Sequence, residues 1–146
     1  MTTGQRGFGA IVAIVILVIM SVLAAALVRL GTTQQVTSAQ DILSARAYQT
    51  ARTGNEWGLY QALRAGSCVG SPGTTLDLRA TTGFSVTVVC VAKTFNEGEV
   101  SPGVPQVTTT YSIEAVACNS AACPDAALAA TPVYIERKRL VIANTP

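Results

Sequence analysis

The chain opens with a short polar stretch and then turns apolar for some twenty positions. From Gly7 to Val28 it reads GFGAIVAIVILVIMSVLAAALV, without one charged side chain. A helix of about twenty such residues spans the hydrocarbon core of a bilayer, so the pattern predicts a membrane-crossing helix. Within residues 1–7 the only side-chain charge is Arg6, and basic charge there favours a cytoplasmic N-terminus. Past Arg29 the pattern becomes amphipathic. Val36, Ala39, Leu43, Ala47, Ala51, Gly54, Gly58 and Ala62 recur at three-and-four spacing, one face of a helix. The stripe is made of small residues, so a packed partner can approach the backbone closely, and a β-sheet fits such a surface. Trp57, Leu59, Tyr60 and Leu63 are expected to thicken that contact. Arg46, Gln49, Arg52, Glu56 and Arg64 read as the solvated face. The helix is expected to run from near Phe8 to near Ala65 and to stop at Gly66, a residue that tolerates the left-handed cap. At 1.5 Å per residue it would be about 85 Å long. Gly31, Thr32 and Thr33 are poor helix formers; a bend or local unwinding there competes with a straight helix.

Beyond Gly66 the period shortens to two. SCVGSPGTTLDLRA, 67–80, reads as a connector with a Pro-Gly turn and a short strand near Leu76 to Leu78. GFSVTVVCVAK, 83–93, is β-branched, with Phe84, Val86, Val88 and Cys90 on one face, and predicts a strand buried on much of both sides. NEGEVSPGVP, 96–105, reads as a long hairpin connection. VTTTYSIEAVAC, 107–118, is a second strand with Tyr111, Ile113, Ala115 and Ala117 sharing a face. NSAACPDAALAATP, 119–132, is a loop. VYIERKRLVIA, 133–143, is a last strand of mixed parity, which predicts a bulge or twist. Its run Glu136, Arg137, Lys138, Arg139 suits a charged edge or a subunit-contact or receptor patch. The fold class is α+β: a long N-terminal helix on a small antiparallel sheet of three or four strands. The expected organisation is a leader at 1–7, a membrane helix at 8–30, its amphipathic continuation at 31–66 and a head at 67–146.

Composition narrows the chemistry. With 146 residues and a net charge of +2, there is room for one core and no footprint for nucleic acid. No histidine is present, which removes the commonest general base and metal ligand. No phosphate cradle, triad or paired-carboxylate motif appears, so neither an enzymatic role nor a cofactor is expected. Asp125 and Asn119 offer oxygens, but without the clustered carboxylates that calcium needs. The four cysteines, Cys68, Cys90, Cys118 and Cys123, lie beyond the apolar segment, where disulfides persist. They allow three pairings; the short NSAA loop favours Cys118 with Cys123, and hence Cys68 with Cys90. A four-thiolate zinc site lacks the usual paired spacing.

Three fates fit the N-terminus. Ala24 to Ala26 could supply a signal-peptidase site, or the segment could stay as an uncleaved anchor. The third fate rests on a short basic leader ending in Gly7, followed at once by Phe8 and an unbroken apolar helix. In this respect the chain resembles the type IV pilin and pseudopilin family. The likeness covers its whole length: long helix, cysteine-bearing loop, C-terminal strands. Within the family, overall texture and YIERKRL are most similar to the minor pilins of the mannose-sensitive haemagglutinin pilus. The resemblance implies cleavage between Gly7 and Phe8 by a prepilin peptidase, with methylation of the new amino terminus. It also implies an inner-membrane subunit with a periplasmic head, held in lipid and then passed by an inner-membrane assembly platform into a helical filament of major and minor pilins at the cell surface. Phe8, Val12 and Arg29 would belong to the assembly segment. Major pilins carry glutamate at the fifth mature position, where this chain has Val12. Loss of that carboxylate implies a tip or initiating subunit, against the plainer reading of Val12 as one more lipid-facing residue.

Overall fold

The computed structural model describes residues 6–145. Its elements, in chain order, are helix α1 (Arg6–Leu63), strand β1 (Thr74–Asp77), the short helix α2 (Arg79–Thr82), and strands β2 (Ser85–Ser101), β3 (Val104–Cys118) and β4 (Glu136–Thr145). The chain divides into two compact units, Met1–Asp41 and Ile42–Pro146.

The first unit is helical throughout its described part. Helix α1 contains a stretch long and apolar enough to cross a membrane, and large side chains such as Ile11, Leu17, Leu23 and Leu27 are exposed in the single chain. Helical backbone continues through Gly31, Thr32 and Thr33, so the chain does not unwind there; Gly and Thr cost helix propensity but do not forbid helix. Residues 1–5 of the expected leader lie outside the described residues. Gly7 and Phe8 belong to the backbone at the start of α1.

In the second unit, the C-terminal part of α1 packs on a four-stranded sheet of order β1-β2-β3-β4, every pairing antiparallel. The predicted α+β architecture is therefore observed. The core joins Ala51 and Ala62 of the helix to Val86, Val88, Cys90, Ile113, Ala115 and Ala117 of the central strands. Helix residues four apart lie about 6 Å apart along the axis, and strand residues two apart lie about 6.8 Å apart. The small stripe thus matches the sheet residue for residue. A Cβ on Gly54 would come 2.6 Å from Val86 Cγ2, and one on Gly58 would come 2.6 Å from Ile113 Cγ2. Glycine is what lets the helix backbone sit directly on the sheet.

Several expectations need correction. The buried stripe begins at Ala47, while Val36 and Leu43 are exposed. Tyr60 and Leu63 are exposed too, so Trp57 and Leu59 carry the contact near the helix end. α1 ends at Leu63 rather than Ala65, and Gly66 (φ 65°) takes the expected left-handed turn. α2 was not anticipated; the Asp77 carboxylate accepts the Arg79 backbone N–H and starts it. Residues 96–105 are not a long connection. β2 and β3 run on through them to the Pro102-Gly103 turn, with register shifts between Asn96 and Ser101 that absorb the awkward Asn-Glu-Gly sequence. The last strand starts at Glu136, not Val133: the Asn119 side chain donates to the Val133 carbonyl and accepts the Ile135 N–H, holding that stretch as loop. Nor is there a bulge in β4, whose pairing with β3 is regular. Val141 and Ala143 are half-buried on one face and Leu140 and Ile142 are exposed on the other, so both parities are accommodated at once.

Candidate functional site

Two surfaces carry the features that the sequence singles out. The first is the apolar surface of the membrane-competent part of α1. Val12 lies on it, exposed among Ile11, Val15 and Ile16. Arg29, also exposed, marks the end of the apolar run. Small residues Ala10, Ala13 and Ala24 to Ala26 along this helix would admit close neighbours. The segment presents exposed apolar area suited to lateral packing.

The second is the charged strand β4 at the edge of the sheet. Each member of its run has a defined partner. Tyr134 donates its phenolic O–H to Glu136 Oε2 at 2.5 Å. Arg137 donates to Ser44 Oγ at 2.7 Å. Lys138 Nζ pairs with Glu114 Oε1 at 2.6 Å. The Arg139 guanidinium stacks 4.5 Å from the centre of the Tyr48 ring. Alternation along the strand sends Arg137 and Arg139 to the helix and Lys138 to the opposite face. Ser44 and Tyr48 are one helical turn apart, which matches the spacing of Arg137 and Arg139 by the same rise arithmetic that seats the glycines. The helix residues of this clasp were not picked out from sequence; the i, i+4 polar pair facing an i, i+2 basic pair is the signal that could have found them.

The loop after β3 is tied down by its own network. Ser120 donates to Asp125 Oδ2 at 2.7 Å, and Asp125 Oδ1 accepts the N–H groups of Ala127 and Leu128. These bonds, that from Ser120 foremost, hold the Asp125 carboxyl below the usual range. The Asp125 N–H donates to the Tyr134 hydroxyl, whose pKa burial pushes up. Ser85 donates to the Ser120 carbonyl, so this loop covers the outer face of β2 near its start. With Asn119 engaged by backbone and Asp125 by these donors, their oxygens serve the loop itself. The cysteines stand at disulfide distance in the expected pairs, Cys68 with Cys90 (Cα–Cα 5.1 Å) and Cys118 with Cys123 (5.7 Å). They sit at separate places in the head and not as one four-thiolate cluster.

A broad groove of about 640 Å³ lies between α1 and α2, lined by Ile42, Arg46, Gln49 and Thr82 among others. Its threonine hydroxyls donate to main-chain carbonyls of their own helices. No cluster of three or more metal-ligating side chains exists among the described residues. No family model, characterised protein or solved structure matches this chain.

Proposed function

We propose that this chain is a pilin-like structural subunit, a minor component that takes part in initiating or capping a type IV pilus or the related secretion pseudopilus. The observation that supports this most is one helix, free of side-chain charge from Gly7 to Val28, whose later turns pack on a cysteine-stapled antiparallel sheet. In this reading Phe8 to Val28 anchors the subunit in the inner membrane, head outward, and then exchanges lipid for the equivalent helices of other subunits. Such head-to-tail contacts do not close, and repetition gives a helical fibre. A prepilin peptidase removes residues 1–7, and an assembly platform draws the subunit from the membrane. In texture the chain is similar to the minor pilins of the mannose-sensitive haemagglutinin pilus.

Val12 supports the initiating role. An unpaired ammonium in an apolar filament core is costly, and a carboxylate nearby offsets much of that cost. Val12 supplies none, so the chain suits a first position with no earlier amino terminus to meet.

The test is the mature N-terminus. After co-expression with a prepilin peptidase, sequencing and intact mass should give a chain beginning at methylated Phe8, and Gly7→Val should block the cut. A mature chain beginning near Leu27 would make it a secreted protein. One retaining Met1 would make it a single-span periplasmic accessory protein. Either outcome overturns the proposal.

A further inference from the structure

We infer that the hairpin arm formed by β2 and β3 seats its tip in the groove between α1 and α2 of a second copy of this chain. The inference deepens the structural role proposed above, and rests on that reading for one thing only, that copies share one orientation.

The arm is an element without cover. β4 ends at Thr145, opposite Thr109, while β2 and β3 run on to the Pro102-Gly103 turn as a two-stranded ribbon. Such ribbons are marginal in water without further support, and this one exposes Phe95, Val100, Val104 and Val107, with Val100 at 71%. Along residues 94–108 the only charged side chains are Glu97 and Glu99. Glu99 Oε2 accepts the Gly103 N–H, which fixes this carboxylate at the tip and leaves Oε1 without a partner among the described residues.

The groove is the complement of that tip. It is lined by Ile42, Arg46, Gln49, Thr50, Thr53 and Thr82 among others. Thr50, Thr53 and Thr82 donate their hydroxyls to main-chain carbonyls, so what they offer a ligand is chiefly methyl surface. Arg46 is the only charged side chain in the lining, and it forms no ion pair among the described residues. An apolar trough with one unpaired guanidinium thus faces an apolar tip with unpaired carboxylate oxygen, and the same charges disfavour tip against tip.

Position within the head decides which groove is filled. Gly54 lies over Val86, and Gly58 over Val88 and Ile113, so α1 and β2 run in the same sense. The groove occupies the turns of α1 before Gly54, whereas the tip lies about 50 Å of strand beyond Val86. No arm reaches its own groove. In copies of one orientation the tip of one meets the groove of the next, a contact that does not close and so repeats. The spacing fits as well: the helical rise from Arg46 to Thr53 and the strand rise from Glu99 to Pro102 are both about 10 Å. With the turn level with Thr53, Glu99 stands level with Arg46, and Val100 and Val104 lie against Gln49, Thr50 and Thr53.

The experiment uses the full chain in detergent micelles, with far-UV circular dichroism as the check on folding. Ser101→Cys and Thr53→Cys variants, mixed and treated with a short bismaleimide that spares the disulfides, should give a covalent dimer seen only in the mixture. Ser101→Cys mixed with Tyr60→Cys should not. Ala45→Trp, which fills the groove, should abolish the crosslink. Arg46→Glu in the groove copy, or Glu99→Gln in the arm copy, which keeps an acceptor for Gly103, should each weaken it about fivefold. Arg46→Glu mixed with Glu99→Lys should restore it. Crosslinks of Ser101→Cys with itself, no dimer in the mixture, or no rescue by the paired reversals would each overturn the inference. Cleavage plays no part in this assay, so its failure leaves the mature N-terminus at Phe8 untouched, and a mature chain beginning near Leu27 leaves the crosslink untouched.

Discussion

At Gly58 the helix backbone meets the sheet with nothing between them. A methyl group there would lie 2.6 Å from Ile113 Cγ2 and 2.9 Å from Val88 Cγ1, both on β-branched side chains that cannot swing aside. Alanine gains about 1 kcal/mol of helix propensity, but overpacking a tight core costs about 1–3 kcal/mol. Gly58→Ala should therefore lower stability by about 1 kcal/mol, and Gly58→Val by more, measured by thermal or denaturant unfolding in micelles. Gly54 and Gly58 were legible in the sequence as points of close approach because small residues recur at helical spacing. Asp77 gives a second residue-scale prediction. The Arg79 side chain first, then its backbone N–H, lowers the Asp77 carboxyl from 3.8 to about 2. Its folded value lies below its unfolded one, so its contribution is present above pH 3.8 and is lost as pH falls toward 2. A carbon-detected NMR titration should place its midpoint near 2, and Arg79→Ala should bring it back toward 3.8. This clamp was not visible beforehand, since Asp-Leu-Arg reads equally well as the end of a strand.

At the scale of elements, the cysteine pairs differ in what they hold. Cys68 and Cys90 are separated by 22 positions and tie the connector after α1 to the central strand. Cys118 and Cys123 are 5 apart and close only a small loop at the end of β3. By loop-closure entropy the first bridge contributes about 3 kcal/mol and the second about 2. Replacing Cys68 and Cys90 together by serine should thus lower the unfolding free energy more than replacing Cys118 and Cys123, the two double variants compared in one denaturation series. Element type was readable wherever the period was clean, as in Phe84 to Cys90 or Tyr111 to Ala117. It failed where turn residues lay inside a strand: Asn96, Gly98 and Pro105 look like a connection, yet antiparallel pairing across Thr94–Thr109 and Phe95–Thr108 carries the ladder past them. It failed again at Val133 to Ile135, where β-branched residues are claimed by the Asn119 side chain.

For the whole molecule, the proposed assembly turns on Val12. If this subunit begins a filament, Val12→Glu should let it enter along the shaft, seen by immunogold labelling shifting from fibre ends to their length. Unaltered protein already spread along the shaft would sink the initiating role. What the sequence carried at this scale was the joining of a membrane-length helix to a stapled head, because hydropathy and cysteine placement are properties of single stretches. The clasp of Ser44 and Tyr48 on Arg137 and Arg139 and the groove between α1 and α2 depend on residues far apart in the chain, which no local pattern displays.

The sheet order β1-β2-β3-β4 repeats the order of synthesis. If the head is exported behind its anchoring helix as proposed, each strand reaches a neighbour that has already arrived, and none must wait for a later one. In that proposed reading export and sheet building proceed in step, with pairing that stays close along the chain and closes quickly, and the basic edge is laid down last.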